Sequence, residues 1–344
     1  MNVRRLIPTA ALAGSLTLGL VALSALSGCS PSDAADDAGG GAGKSGGKLA
    51  VVASFYPMQY LAEEIGGSHV DVSTLTKPGV EPHDLELGTR QAAQLGEADY
   101  ILYLKGIQPA VDEAISAAGV KNTVDAASLT TLEKHGAEVG HDHGDEHADE
   151  HAGEHAGEEH AEEDHAQEGE AGTDPHIWLD PVKYAEVAKG VGASLEKADP
   201  DNAAAYRKNT TTVVERLTAL DSAFEQGLAD TATKTFITTH SAFGYLAERY
   251  GLTQESIAGI SPESEPSPAR IKELRTIAAK DKVGTVFFET LVSDRTAKTV
   301  AADSGLKTDV LDPVEGITDK SKGADYVEVM ESNLAALEKA LGAK

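Results

Sequence analysis

A lone cysteine, Cys29, stands among 344 residues, so no disulfide can form within the chain. One tryptophan, six phenylalanines and nine tyrosines hold the aromatic share to 5%. The core must therefore be built mainly from Ala, Val, Leu and Ile. Positive charge is also scarce: 29 Lys and Arg face 56 Asp and Glu, a formal net charge of −27. That balance excludes nucleic-acid binding through phosphate contacts and favours cations. The sequence has no His-Glu-x-x-His stretch, the helical signature of a common class of zinc hydrolases. His147 and His151 share its spacing, but Ala148-Asp149-Glu150 stands between them.

What is present begins with an export signal. Arg4 and Arg5 precede an apolar run over 6–26 that closes on Leu26-Ser27-Gly28-Cys29. This reads as a signal peptide over 1–28 and is set aside from fold reasoning. The run could nearly span a bilayer, but its ending resembles the bacterial lipoprotein box, in which cleavage leaves the cysteine as the lipidated first residue. Cys29 is thus expected to be the anchor point, with palmitate-type acylation, and 29–48 a flexible tether rich in Gly, Ala, Ser and Asp. The mature chain loses Arg4 and Arg5 and moves from −27 to −29.

Histidine and acid then concentrate in one place. Between 141 and 165 lie seven histidines (His141, His143, His147, His151, His155, His160 and His165) among eleven Asp and Glu, without Lys or Arg. Such a stretch is too polar and too negative to bury a core. It is dense in imidazoles and carboxylates, ligands for borderline divalent metals, and His-rich tracts are read first as metal-binding. A solvated acidic linker is the plainer alternative.

The rest alternates strand-like and helix-like segments, which predicts a parallel α/β architecture. Strands are expected at 49–54, 70–76, 100–104, 122–126, 235–239, 256–260, 285–288 and 308–311. Helices are expected at 58–65, 85–95, 109–118, 182–198, 202–229, 242–250, 267–280, 293–303 and 325–341. The segment 202–229 would measure roughly 40 Å at about 1.5 Å per residue, long enough to run beside both halves. The domains read as 49–200, carrying a loop over 136–172; a linking helix over 201–231; and 232–344.

Ligands of open α/β sheets sit beyond the carboxyl ends of strands. His83 follows the second expected strand, His240 ends the fifth, Asp312 follows the eighth, and His176 precedes a helix. Singly, each has a duller account: a helix cap, a satisfied core histidine, a turn residue. Together they offer three imidazoles and a carboxylate, a tetrahedral set suited to Zn²⁺.

Four stretches carry a resemblance: Glu81-Pro82-His83-Asp84, Asp174-Pro175-His176-Ile177-Trp178-Leu179-Asp180-Pro181, Thr239-His240-Ser241-Ala242-Phe243-Gly244-Tyr245 and Leu311-Asp312-Pro313. In this order they resemble the signature regions of bacterial metal ABC-transporter solute-binding proteins. The zinc-uptake branch, which also carries a His/acid-rich loop before the second region, is the most similar. The resemblance implies two (β/α) domains joined by one long rigid helix, with metal in the interdomain cleft and His83, His176, His240 and Asp312 as ligands. The manganese branch has Glu where His240 stands, so histidine there favours zinc. Glu81 and Asp84 are expected to accept from the His83 ring, or else to be exposed acids of a helix start.

The implied activity is capture of Zn(II) outside the cytoplasm by a lipid-anchored, monomeric binder that delivers it to a membrane permease, without catalysis. Partners would be the zinc ion, the permease and, through the anchor, the membrane; nucleic acid is excluded. Alternatives are a manganese-binding homologue, a surface metal-dependent adhesin and, further off, a zinc-dependent hydrolase.

Overall fold

The computed structural model describes residues 47–135, 173–264 and 266–344. The signal segment, most of the tether, Cys29 and the seven tract histidines lie outside the described residues.

Two four-stranded parallel sheets organise what is described. The first contains β1 (Leu49–Ala53), β2 (Val70–Thr74), β3 (Tyr100–Tyr103) and β4 (Thr123–Asp125), in the order β2-β1-β3-β4. Helices α1 (Tyr56–Gly66), α2 (Thr89–Glu97) and α3 (Pro109–Ala118) connect them. Alternation along β1 explains why helices cover both faces. Val51 and Ala53 join a cluster with Met58, Leu61 and Ile65 of α1, while Val52 joins Leu95, Val111 and Ile115 of α2 and α3. Strands buried on both faces are apolar throughout, as Ala50-Val51-Val52-Ala53 is.

Two helices follow: α4 (Pro181–Ala198) and the 26-residue α5 (Ala203–Leu228). Asp180 caps α4 by accepting from Val182 N at 2.8 Å, with Pro181 at the first helical position; both residue types are favoured there. The α5 helix packs against α1 and α4 on one side of the sequence and α9 (Tyr326–Leu341) on the other.

The second sheet holds β5 (Thr235–Thr238), β6 (Thr253–Ser256), β7 (Thr285–Phe288) and β8 (Lys307–Val310), in the order β6-β5-β7-β8. Its connecting helices are α6 (Gly244–Arg249), α7 (Pro268–Asp281) and α8 (Arg295–Ser304). Ile237 and Val286 face α7 and α8, whereas Phe236 and Phe287 turn toward the cluster that includes α9. That largest cluster takes residues from Val51 to Leu341 and so runs through both sheets. Polar pins reinforce it. Trp178 Nε1 donates to Pro313 O at 2.7 Å, Tyr326 Oη to Trp178 O at 2.5 Å, and Tyr184 Oη to Pro57 O at 2.6 Å.

Two expected elements move. The helix expected from 85 starts at Thr89, because Leu85 and Leu87 pack against the Val52 cluster from irregular chain and Gln91 Oε1 accepts from Gly88 N at 2.8 Å. The strand expected at 256–260 is Thr253–Ser256 instead. It is a half-exposed edge strand, and the more apolar Ile257-Ala258 is buried just past its end.

Candidate metal centre

In both sheets the strand order reverses between the first and third strands in sequence, and crevices at such reversals bind ligands. His240 leaves β5 and Glu289 leaves β7, the two strands that flank the reversal in the second sheet. Across from them, the connection from β2 to α2 brings in His83, and the turn before α4 brings in His176. Thr239 and His240 follow directly on the buried strand, and the imidazole lies in the interior with no side-chain exposure.

Three histidines and Glu315 form the group: one ligand atom from each of His83, His176, His240 and Glu315 lies within 4.8 Å of the others. Glu315 Oε1 is 3.4 Å from His83 Nε2, 3.5 Å from His176 Nε2 and 3.6 Å from His240 Nε2. These lengths carry a chemical meaning. Four donors placed tetrahedrally about 2.0–2.2 Å from one ion stand about 3.3–3.6 Å from each other, so the separations match the edges of a zinc coordination tetrahedron. The same lengths are too great for good hydrogen bonds, and His176 Nε2 and His240 Nε2 are buried without a hydrogen-bond partner among the described residues. Buried polar atoms are ordinarily paired. Two such imidazole nitrogens facing one carboxylate oxygen could hold a cation.

The other ring nitrogens are held in place. His176 Nδ1 is 2.6 Å from Asp174 Oδ1, which also accepts from His176 N at 3.0 Å. His240 Nδ1 is 2.6 Å from Glu289 Oε1, which accepts from Thr239 Oγ1 as well. Carboxylates on the far nitrogen fix the tautomer and make the near nitrogen a better donor to metal. Burial pulls both histidines toward their neutral form. The charge and hydrogen bond of Asp174 nevertheless raise His176, and those of Glu289 push His240 up to about 10. For Glu315 burial works upward, yet the surrounding imidazoles of His176, His240 and His83 hold it well below the usual carboxylate range.

The structure brings His83, His176 and His240 together and leaves Asp312 out of the group. Asp312 Oδ2 accepts from Thr290 Oγ1 at 2.9 Å, and Oδ1 from Val314 N at 2.8 Å. Its own backbone N and O are bonded to the Asn333 side chain at 2.9 and 2.7 Å. With both oxygens engaged, Asp312 builds the turn in which Val314 adopts φ 58°, and that turn delivers Glu315. Glu81 and Asp84 do not accept from the His83 ring either. Glu81 accepts from the backbone N of His83 at 3.1 Å and of Asp84 at 3.2 Å, shaping the loop, while Asp84 is exposed. Burial raises the Glu81 carboxyl despite the neighbouring His83. Strand-exit position pointed to Asp312, and nothing in that signal separates it from Glu315 three residues on. Glu289, which follows β7 as His240 follows β5, carried the same positional signal.

The family described as zinc-uptake complex component A, periplasmic (ZnuA) matches residues 51–340. The chain belongs to the ZnuA family. A relative from Streptococcus pneumoniae, zinc-binding lipoprotein AdcA, is 35% identical over 298 residues, which cover 85% of this chain and 55% of that one. The chain thus spans about half the length of the AdcA relatives it matches. The high-affinity zinc uptake system protein ZnuA of Bacillus subtilis is 37% identical over 306 residues, 88% of this chain and 90% of that protein. Among solved structures, the Zn(II)-bound ZnuA-like domain of Streptococcus pneumoniae AdcA is similar with a TM-score of 0.67 at 32% identity, covering 86% of this chain and 99% of that domain. The two-sheet architecture is therefore that of the ZnuA family.

Proposed function

We propose that this protein captures Zn(II) outside the cytoplasm and delivers it to an ABC-type permease, with His83, His176, His240 and Glu315 as the ligands. The observation that carries this reading is the pair of buried, unpartnered Nε2 atoms of His176 and His240 facing Glu315 Oε1 at 3.5 and 3.6 Å. Zinc and zinc uptake in the names of relatives support the same cargo.

Three imidazoles and one carboxylate suit zinc better than manganese, which prefers oxygen-rich sets. With the ion bound, the four ligands and metal carry a charge near +1, and buried Asp174 and Glu289 then offset it. All four positions are filled by protein, which is the arrangement of a closed zinc site, whereas catalytic zinc keeps a position open. Binding and release, without catalysis, is the chemistry this arrangement serves. The lipoprotein in a relative's name, together with Leu26-Ser27-Gly28-Cys29, supports anchoring through Cys29 on the outer face of the cell membrane.

The experiment is a chelator competition on full-length protein. Wild type should retain one zinc per chain after the weaker sites are stripped, and prefer Zn²⁺ to Mn²⁺. His240→Ala and Glu315→Gln should each lose the retained ion. Retention in both variants would place the tight site elsewhere and overturn the reading.

A further inference from the structure

Asp174 uses only one of its oxygens on His176. The other, Oδ2, lies 3.1 Å from Nδ1 of His135, a residue 39 positions earlier. His135 Nε2 in turn lies 2.9 Å from Glu248 Oε2 on α6, whose carboxylate is 63% exposed. The chain Glu248–His135–Asp174–His176 therefore runs from the surface to a proposed ligand. Because both ring nitrogens of His135 face carboxylate oxygens, both act as donors.

The surroundings are shaped to hold this ring. Tyr245 meets it edge-on at 4.5 Å, and Tyr245 Oη donates to Asp174 O at 2.8 Å while accepting from Glu133 N at 2.8 Å. Asp174 N donates to Glu133 O at 2.9 Å. At Gly244, an added Cβ would collide with the His135 ring and stand 2.8 Å from Asp174 Oδ2. Only a residue without a side chain lets the imidazole lie there.

We propose that His135 is a positioning residue for the zinc site: its Nδ1–H holds the second oxygen of Asp174, and so fixes the carboxylate that orients His176. The proposal rests on the reading of His176 as a ligand. Asp174 is fully buried, and an anion oxygen left without a donor there is costly. Without His135 the carboxylate turns or takes up a proton, and its grip on His176 Nδ1 is lost. Outer partners of metal-binding histidines typically govern affinity by about 10–100-fold.

Zinc-loaded full-length protein is mixed with excess chromophoric chelator, where tract zinc leaves rapidly and the interior ion slowly. His135→Phe keeps a ring against Tyr245 but no donor; His135→Asn keeps a donor near the Nδ1 position. The slow phase should accelerate roughly tenfold or more in His135→Phe and stay within about threefold of wild type in His135→Asn. The visible spectrum of the equimolar Co²⁺ complex should change in the first and not the second. His135→Leu repeats the test should the phenylalanine variant not fold. Equal effects of Phe and Asn, or wild-type release with an unchanged spectrum in Phe and Leu, would overturn the positioning role. His176→Ala is the separate control. A slow phase that survives in it would strike at the ligand assignment itself.

Discussion

His240 Nδ1 and Glu289 Oε1 lie 2.6 Å apart although 49 positions separate them in sequence, because each is the first interior acid or imidazole beyond neighbouring strands β5 and β7. The contact makes Glu289 the holder of a proposed zinc ligand while leaving it outside the metal's reach. Glu289→Ala should weaken zinc binding by about 10–100-fold without changing the stoichiometry. Glu289→Gln, which keeps an acceptor, should lose less. Competition against a chelator of known affinity measures both, and an unaffected Ala variant would show that His240 orients without help.

Glu315 and Asp312 make opposite predictions. Glu315→Gln removes the anionic member of the group and should cost more affinity than the roughly 10–100-fold of an outer carboxylate. Asp312→Ala leaves Val314 N and Thr290 Oγ1 without their acceptor and should lower stability by about 1–3 kcal/mol, with the smaller effect on zinc. Denaturant melts and zinc titrations on the pair decide. Reversal of the two affinities would restore Asp312 as the ligand.

The metal-free site should hold protons on its histidines. His240, raised from 6.5 to about 10, stabilises the metal-free fold fully below about pH 6.5 and progressively less as pH climbs through 10. Asp174 and Glu315, lowered from 3.8 and 4.5, contribute above those values and lose their contribution as pH falls through their depressed ones. Melting temperature of metal-free protein should therefore be highest between about pH 4.5 and 6.5. Zinc must displace the imidazole protons, so its affinity should rise with pH. Calorimetry in buffers of different ionisation enthalpy should count at least one proton released per ion bound at pH 7. A count of zero would mean the histidines are already neutral.

Glu133 and Asp174 are joined by a 2.9 Å backbone hydrogen bond, so the chain returns to its starting point after the His/acid-rich stretch. Deleting 140–170 should thus leave the melting temperature of metal-free protein within a few degrees, since surface-loop length costs little. One tightly held zinc should remain while weaker ones vanish. Loss of the tight zinc would move the principal site into the tract.

Much of this was legible in the sequence, for identifiable reasons. Two-sided burial writes itself as unbroken apolar runs, so β1, β5 and β7 were placed within a residue or two. Cap chemistry located α7, where Ser267-Pro268 opens the helix. The edge strand β6 was misplaced because a half-exposed strand has no such run. The convergence of His83, His176 and His240 was legible because each sits at an element's end. Glu315 and the carboxylates behind the rings were not, because their roles depend on how a turn is wound. Nothing local to Asp312 announces that its oxygens are taken by Thr290 and Val314.

The four proposed ligands are not equally walled in. The side chains of His176 and His240 have no exposure and Glu315 has 1%, whereas His83 keeps 8%. Among the described residues, His83 has no second carboxylate on its other ring nitrogen of the kind that ties down each of the other two rings, and it rides on the long connection between β2 and α2. Ligand exchange then has a direction. An incoming ion meets His83 first, while the three inner donors stay fixed. On the proposed function, drawing aside the 78–84 loop would convert a four-coordinate trap into a three-coordinate one open to a transport partner's own donors. The stiffness of the remaining site, set by a core that runs through both sheets, is what would make so small a displacement sufficient.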